Sequence, residues 1–205
     1  MKKGYLITFE GIDGCGKTTQ LKLAESYLKK CGLNVLSIRE PGSTRLSERI
    51  RKILLDCKQH INPISELNLY LAARAELVSQ IIKPALKEGT VILCDRFYDS
   101  TTAYQSFGRG INLNLVKKLN MLATDGIRPN LTLLFDVDYE TSLGRRKKSA
   151  DRLEMEPRAF FNRVRRGFLE IAQSEKRRIK IVNGKMDPDK IFSEVQACLK
   201  KRLKV

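Results

Sequence analysis

Apolar and polar positions alternate along the chain on two length scales. Five short, nearly continuous apolar runs, at Tyr5–Phe9, Val35–Ile38, Val91–Cys94, Leu131–Phe135 and Ile179–Val182, are separated by longer stretches with helical periodicity. Continuous runs fit strands covered on both faces, so the pattern predicts an α/β fold with a mostly parallel, central five-stranded sheet flanked by helices. Leu21, Ala24 and Leu28 mark a helical face that stops near Gly32, where a glycine can adopt the left-handed closing conformation. Asn62-Pro63 reads as an N-cap and first-turn proline, opening a long helix to about Glu88 that stops at Gly89. Further faces are Leu115, Leu119 and Leu122, then Phe161, Val164, Phe168 and Ile171 behind a first-turn Pro157, and finally Ile191, Val195, Cys198 and Leu199. With 205 residues and no internal repeat, one domain over residues 1–205 is expected.

Between the first predicted strand and helix lies Gly11-Ile12-Asp13-Gly14-Cys15-Gly16-Lys17-Thr18, which satisfies G-x-x-x-x-G-K-[ST] in the context that motif requires. Glycines let the backbone turn its N–H groups onto phosphate oxygens, and the helix N-terminus adds partial positive charge. Lys17 would reach the β and γ phosphates and the Thr18 hydroxyl would ligate Mg²⁺. These residues with Thr19 form the expected nucleotide-binding loop of a P-loop NTPase fold. Asp95, a carboxylate ending the Val91–Cys94 run, fits a second magnesium ligand, direct or through water.

Composition narrows the setting. No run approaches the roughly 18 uninterrupted apolar residues of a membrane helix, and the N-terminal apolar stretch is too short for a signal peptide, so a cytoplasmic protein without membrane contact is expected. Five widely spaced cysteines without a Cys-x-x-Cys pair fit a reducing compartment and argue against zinc, and the single His60 excludes a His-rich metal site. Lys plus Arg number 39 against 23 acids, a formal +16, and Gly144–Lys180 holds about half of that excess. Such a charge either neutralises an anionic partner or keeps the protein soluble.

No Asn-Lys-x-Asp guanine-reading motif is present, which leaves a short kinase. Such an enzyme needs an acceptor pocket, several arginines around the transferring phosphoryl group and a mobile cover. Candidates are Arg39-Glu40-Pro41-Gly42 after the second strand, Arg51, Arg74, Asp95-Arg96 and Arg152. At these residues the chain resembles the bacterial thymidylate kinases over essentially its full length. The matching pieces are Phe9–Thr19, Arg39–Gly42, Leu71-Ala72-Ala73-Arg74, Asp95–Gln105, Gly108-Arg109-Gly110, Pro129–Thr132 and Asp151-Arg152-Leu153-Glu154.

The resemblance implies transfer of the γ-phosphoryl group of ATP to dTMP by a homodimer, with Leu115, Leu119 and Leu122 as a candidate contact. It implies Tyr70, where a Phe is usual, stacked on thymine; Arg74, Gln105 and Thr101 on the base; Asp13 at the sugar 3′-hydroxyl; and Tyr104 crowding the 2′ position. Arg51 and Arg96 would hold the acceptor phosphate, Arg96 also bridging toward the donor. Glu40, beside Pro41, would join the magnesium and acceptor network. Ser43 replaces a usual glycine. Because the phosphate loop lacks an arginine, the lid at about 144–157 would supply it as Arg152, the transition-state candidate, while Arg145 and Asn183-Gly184 would border the adenine. The remaining basic residues, Arg146, Lys147, Lys148, Arg165, Arg166, Arg177 and Arg178, read as a solvated helix face. Two other readings are a kinase for dUMP, another nucleotide or a nucleoside, and a nucleic-acid-binding ATPase; the second lacks a basic and aromatic stripe for base stacking.

Overall fold

The computed structural model describes residues 3–146 and 151–205. Every apolar run becomes a strand extended by one polar residue at its C-terminal end: β1 (Tyr5–Glu10), β2 (Val35–Arg39), β3 (Val91–Asp95), β4 (Leu131–Asp136) and β5 (Ile179–Asn183). All pair in parallel in the order β2-β3-β1-β4-β5, with β1 central and Phe9 in register with Asp95. Glu10, Arg39, Asp95, Asp136 and Asn183 therefore gather at the carboxyl ends of the strands, the edge where open α/β sheets bind ligands.

The three inner strands β1, β3 and β4 are buried on both faces, as continuous apolar strands require, whereas the edge strands β2 and β5 are partly exposed. Ile7, Phe9 and Leu93 pack in one cluster with α1 (Lys17–Lys30), α8 (Arg158–Ser174) and α9 (Pro188–Leu203), where the faces read from sequence as 21/24/28, 161/164/168/171 and 191/195/198/199 are buried except for the half-buried Cys198. Leu6, Ile38, Ile92 and Cys94 pack on the opposite side with the long helix that starts at Pro63. Asn62 Oδ1 accepts from Ile64 N at 2.9 Å, the expected cap. That helix is not uniform: α3 (Pro63–Leu77) widens into a π turn over Val78–Ile82 before α4 (Lys83–Lys87). Lys83 N donates five residues back to Val78 O, next to Pro84, which has no N–H to continue the ladder.

Three expectations need correction. On α6 (Leu113–Ala123) the inward residues are Val116, Asn120 and Ala123, while Leu115 and Leu122 are 45% and 78% exposed. The inward phase is set by Asn120, which bonds Arg74 and Thr102, and an apolar count could not see it. Pro157 is the N-cap of α8 rather than a first-turn residue. Arg178 is not solvated: it is buried, donating to both carboxylate oxygens of Asp99 and to Thr132, with Glu175 as a further partner. Arg165 also departs from the solvated face, forming a bidentate pair with Asp136, whereas Arg166 stays exposed beside Glu170. Lys147 and Lys148 lie outside the described residues. Among those described, no helix is long and apolar enough to cross a membrane, and His60 is an exposed loop residue.

Candidate active site

The loop between β1 and α1 is built where only glycine fits. Gly11 has φ 134° and Gly14 φ 75°, and a Cβ on either would lie 2.4 Å from Phe135 O or 2.5 Å from Ser142 O. Gly16, at φ 95°, caps α1. Ile12 and Cys15 are buried beneath the loop. Lys17 Nζ donates at 3.0 Å to Gly11 O and Ile12 O and approaches Cys15 Sγ at 3.5 Å. Above the loop is a cavity lined by Asp13, Gly14, Gly16, Lys17, Thr18 and Thr19 from one side and by Asp95, Arg145 and Arg146 from others. The Thr18 hydroxyl donates to Asp95 Oδ2 at 3.1 Å, joining the two expected magnesium ligands. Arg145 is the last residue of α7 (Tyr139–Arg145) and donates to Gly184 O at 2.6 Å, so it meets Asn183-Gly184 beside the loop, although Asn183 itself does not line the cavity.

A second cavity is lined by Asp13, Glu40, Pro41, Arg51, Tyr70, Arg74, Arg96, Thr101, Tyr104 and Gln105, which is every residue expected to hold the acceptor. Asp13, Glu40, Pro41 and Arg96 come from loops after β1, β2 and β3, and the other six from helical segments. Arg51 comes from α2 (Arg45–Leu55), capped by Thr44, and donates to Pro41 O at 3.1 Å; Tyr70 and Arg74 come from one face of α3. Thr101 ends α5 (Tyr98–Thr101), which widens into a π-helical segment over Thr102–Gly108 carrying Tyr104 and Gln105. Wide turns of this kind often mark functional sites. Arg74 is buried, donating to Glu40 Oε2, Asn120 Oδ1 and Thr101 Oγ1 at 2.8–2.9 Å. Two polar atoms in this wall, Glu40 Oε1 and Tyr104 OH, are buried with no hydrogen-bond partner within the protein. Such atoms are costly unless something else meets them.

The two cavities share Asp13, Glu40, Arg51, Arg96 and Asp151. Arg96 is fixed from several directions: it donates to Gly11 O at 2.9 Å, Ser100 Oγ at 3.1 Å and Asp13 Oδ1 at 2.6 Å, and lies 5.4 Å from the Tyr104 ring centroid. Burial disfavours the Asp13 carboxylate, but Arg96 and Lys17 outweigh it and hold the group at about 2. For Glu40 burial wins over Arg74 and its pKa is raised.

Two contributors escaped sequence reasoning. Glu10 accepts from Phe97 N at 2.7 Å and meets Ser100 Oγ at 2.5 Å, clamping the turn that gives Arg96 its left-handed φ of 69°. Complete burial and the nearby Asp99 push its carboxyl up to about 8. Glu66, also buried, gathers Gln105, Arg109 and Arg152. Both left a trace: Glu10 is a charge ending an apolar run, and Glu66 lies four and eight residues before Tyr70 and Arg74. Arg152 itself is not beside the phosphate loop here. It donates to Leu54 O at 2.8 Å and to Glu66, while from the expected lid at 144–157, of which residues 147–150 lie outside the described ones, Arg145, Arg146, Asp151 and Glu154 line the loop cavity. Arg146 lies 4.1 Å from the Phe161 ring centroid and bonds Ser142 Oγ.

A glycine cradle with its lysine, a hydroxyl–carboxylate pair, and a second pocket separated from it by arginines define a P-loop phosphotransferase with two substrate sites. The chain matches the thymidylate kinase family model over residues 9–195. It is 44% identical over 202 residues to a thymidylate kinase of Thermoanaerobacter sp., covering 98% of this chain and all of the relative, and 47% identical over 200 residues to one of Sulfurihydrogenibium sp., covering 97% and 98%. The crystal structure of thymidylate kinase from Ehrlichia chaffeensis superposes with a TM-score of 0.81 at 37% identity, over 96% of this chain and 99% of that one. The chain belongs to the thymidylate kinase family, whose reaction is the phosphorylation of dTMP.

Proposed function

We propose that the chain moves the γ-phosphoryl group of ATP to dTMP, giving ADP and dTDP for dTTP supply, with the residues assigned as follows. The observation that supports the assignment is the wall common to both cavities, lined by Arg51 and Arg96, two cations suited to an acceptor phosphate on one side and the donor's terminal phosphate on the other. Phosphoryl transfer asks for positioned cations rather than covalent chemistry, and Lys17 with Arg96 supplies them. Tyr70 offers a ring to the thymine, while Arg74, Thr101 and Gln105 meet its edge. Asp13, ionised at neutral pH, accepts from the sugar 3′-hydroxyl. The buried Tyr104 phenol crowds the 2′ carbon and disfavours ribonucleotides.

The donor set Thr18, Asp95 and Glu40 fits Mg²⁺: all are hard oxygen groups, and Glu40 Oε1 lacks a protein partner. Mg²⁺ bound there would neutralise phosphate charge. Arg152 reaches the transferring group only by leaving Glu66, as a closing lid would require.

A coupled ADP-release assay over dTMP, dUMP, other nucleotides and nucleosides tests the acceptor; dTMP is expected to give the highest kcat/KM, and a better acceptor would overturn the assignment. Arg152→Ala should lower kcat by roughly 10²-fold with the KM for dTMP nearly unchanged, the pattern of a contact made in the transition state. The same loss from Arg146→Ala, with Arg152→Ala silent, would transfer the role to Arg146. We further assign the chain to the cytoplasm as a homodimer through the exposed Leu115 and Leu122 of α6; Leu122→Asp should then halve the mass seen by light scattering. Nucleic acid is not part of this reading, and ATP hydrolysis stimulated by DNA or RNA would contradict it.

A further inference from the structure

Gln105 lines the acceptor cavity, and an amide can offer either a donor or an acceptor to a base. Its partner on the protein side decides which. Gln105 Nε2 donates to Glu66 Oε1 at 2.9 Å, and a carboxylate can only accept. Glu66 is completely buried and is also met by Arg109 Nε at 3.1 Å, by Arg109 Nη2 at 3.2 Å, and by the Arg152 guanidinium. Burial works against its charge, but the bonds from Arg109, Arg152 and Gln105 outweigh that and lower its pKa, so it stays acceptor-only at neutral pH. One N–H of the Gln105 amide is thereby spent on the protein, which fixes the amide plane, and its oxygen, met by no donor among the described residues, is the acceptor it presents to a ligand.

We propose that Glu66 is a positioning residue for base selection: it fixes the Gln105 amide with its oxygen toward the base, so the site takes a pyrimidine with an N–H at ring position 3 and rejects one whose N3 is an acceptor. Thymine and uracil carry that N–H; cytosine does not. Arg74, which only donates, reinforces the choice, since it suits a carbonyl at position 4 and not an amino group. The magnitude is set by pairing in a buried site: a pocket built to hydrogen-bond a ligand group rejects the analogue lacking it far more strongly than an apolar pocket rejects a methyl group. The inference rests on the assignment of the second cavity to the nucleotide acceptor.

The test uses two acceptors that share a 5-methyl group and differ at positions 3 and 4, dTMP and 5-methyl-dCMP. Four proteins are compared: the wild type, Glu66→Gln, Gln105→Ala and the double variant. The amide introduced by Glu66→Gln has one oxygen for four incoming donors, so it cannot hold Gln105 as the carboxylate does. Glu66→Gln is expected to reduce the dTMP to 5-methyl-dCMP ratio of kcat/KM by about tenfold or more, mainly through the KM for dTMP; taking the ratio cancels any effect on phosphoryl transfer through Arg152. In the Gln105→Ala background the same substitution should change the ratio by less than about twofold. If Gln105→Ala alters the ratio and Glu66→Gln does not, the positioning role is wrong while the acceptor assignment survives. If Gln105→Ala alters neither ratio nor KM, the acceptor assignment itself fails. Should Glu66→Gln not fold, the wild type still decides: one of the two Gln105 side-chain amide protons, followed by ¹⁵N NMR, should stay hydrogen-bonded to the carboxylate on dTMP addition, and its transfer to the ligand would overturn the proposal.

Discussion

Single residues in this molecule hold conformations that their types resist, and each is tied down by named bonds. Ser43 occupies φ 71°, a conformation that costs an L residue about 1–2 kcal/mol, yet its hydroxyl oxygen accepts from Arg39 N at 3.0 Å and its N–H donates to Glu48 Oε1 at 2.8 Å. Ser43→Ala keeps the strain and loses the hydroxyl bond, so it should cost about 1 kcal/mol in denaturant unfolding. Ser43→Gly loses the same bond but relieves the strain, and should be nearly neutral. Glu10 makes a pH prediction. Its folded value of about 8 lies above the ordinary 4.5, so the native state binds this proton more tightly than the unfolded chain does. Its contribution is full below pH 4.5 and is lost as pH rises to about 8. Glu10→Gln cannot titrate, so its melting temperature minus that of the wild type should climb across that window and then level off. A difference flat in pH would show that Glu10 is not the proton holder.

At the scale of elements, the sheet was legible because continuous apolar runs leave few alternatives, and the phosphate loop because its glycines have a fixed spacing. What the pattern hid was every feature decided by a partner distant in sequence. Asn120 turns α6, Asp99 buries Arg178, and Glu66 anchors Arg152, pairings that local periodicity does not encode. The π-helical segment at Thr102–Gly108 was equally hidden, although it carries Tyr104 and Gln105. It is held against α8 by close approach: a Cβ on Gly167 would lie 2.5 Å from Phe107 Cγ, near the rigid root of the ring. Gly167→Ala should therefore be net destabilising, an overpacking cost of about 1–3 kcal/mol exceeding the helix-propensity gain of up to about 1. The displaced segment should also raise the KM for dTMP more than it lowers kcat. Thermal melts with steady-state kinetics on one preparation would check both.

Over the whole molecule the +16 charge acquires a partial address. The arginines paired inside the fold with Asp99, Asp136 and Glu66 are balanced by those carboxylates, whereas Arg145 and Arg146 bring positive charge to the loop cavity. Cations around an anion site raise local ligand concentration, an effect that salt screens as the Debye length falls from about 10 Å at 0.1 M to about 3 Å at 1 M. Raising KCl over that range should lift the KM for ATP several-fold with a smaller effect on kcat; an insensitive KM would leave the surplus without a role in nucleotide capture.

The bond from Arg96 to the carbonyl of Gly11 has a consequence for how such an enzyme keeps its timing. One guanidinium lining the second cavity is riveted to the very loop that lines the first, so on the proposed reading the spacing between the two nucleotides follows from the paired strands β1 and β3. On that reading a closing cover would govern when water is shut out and when product departs, while the reach of the reaction would already be set in the floor beneath it.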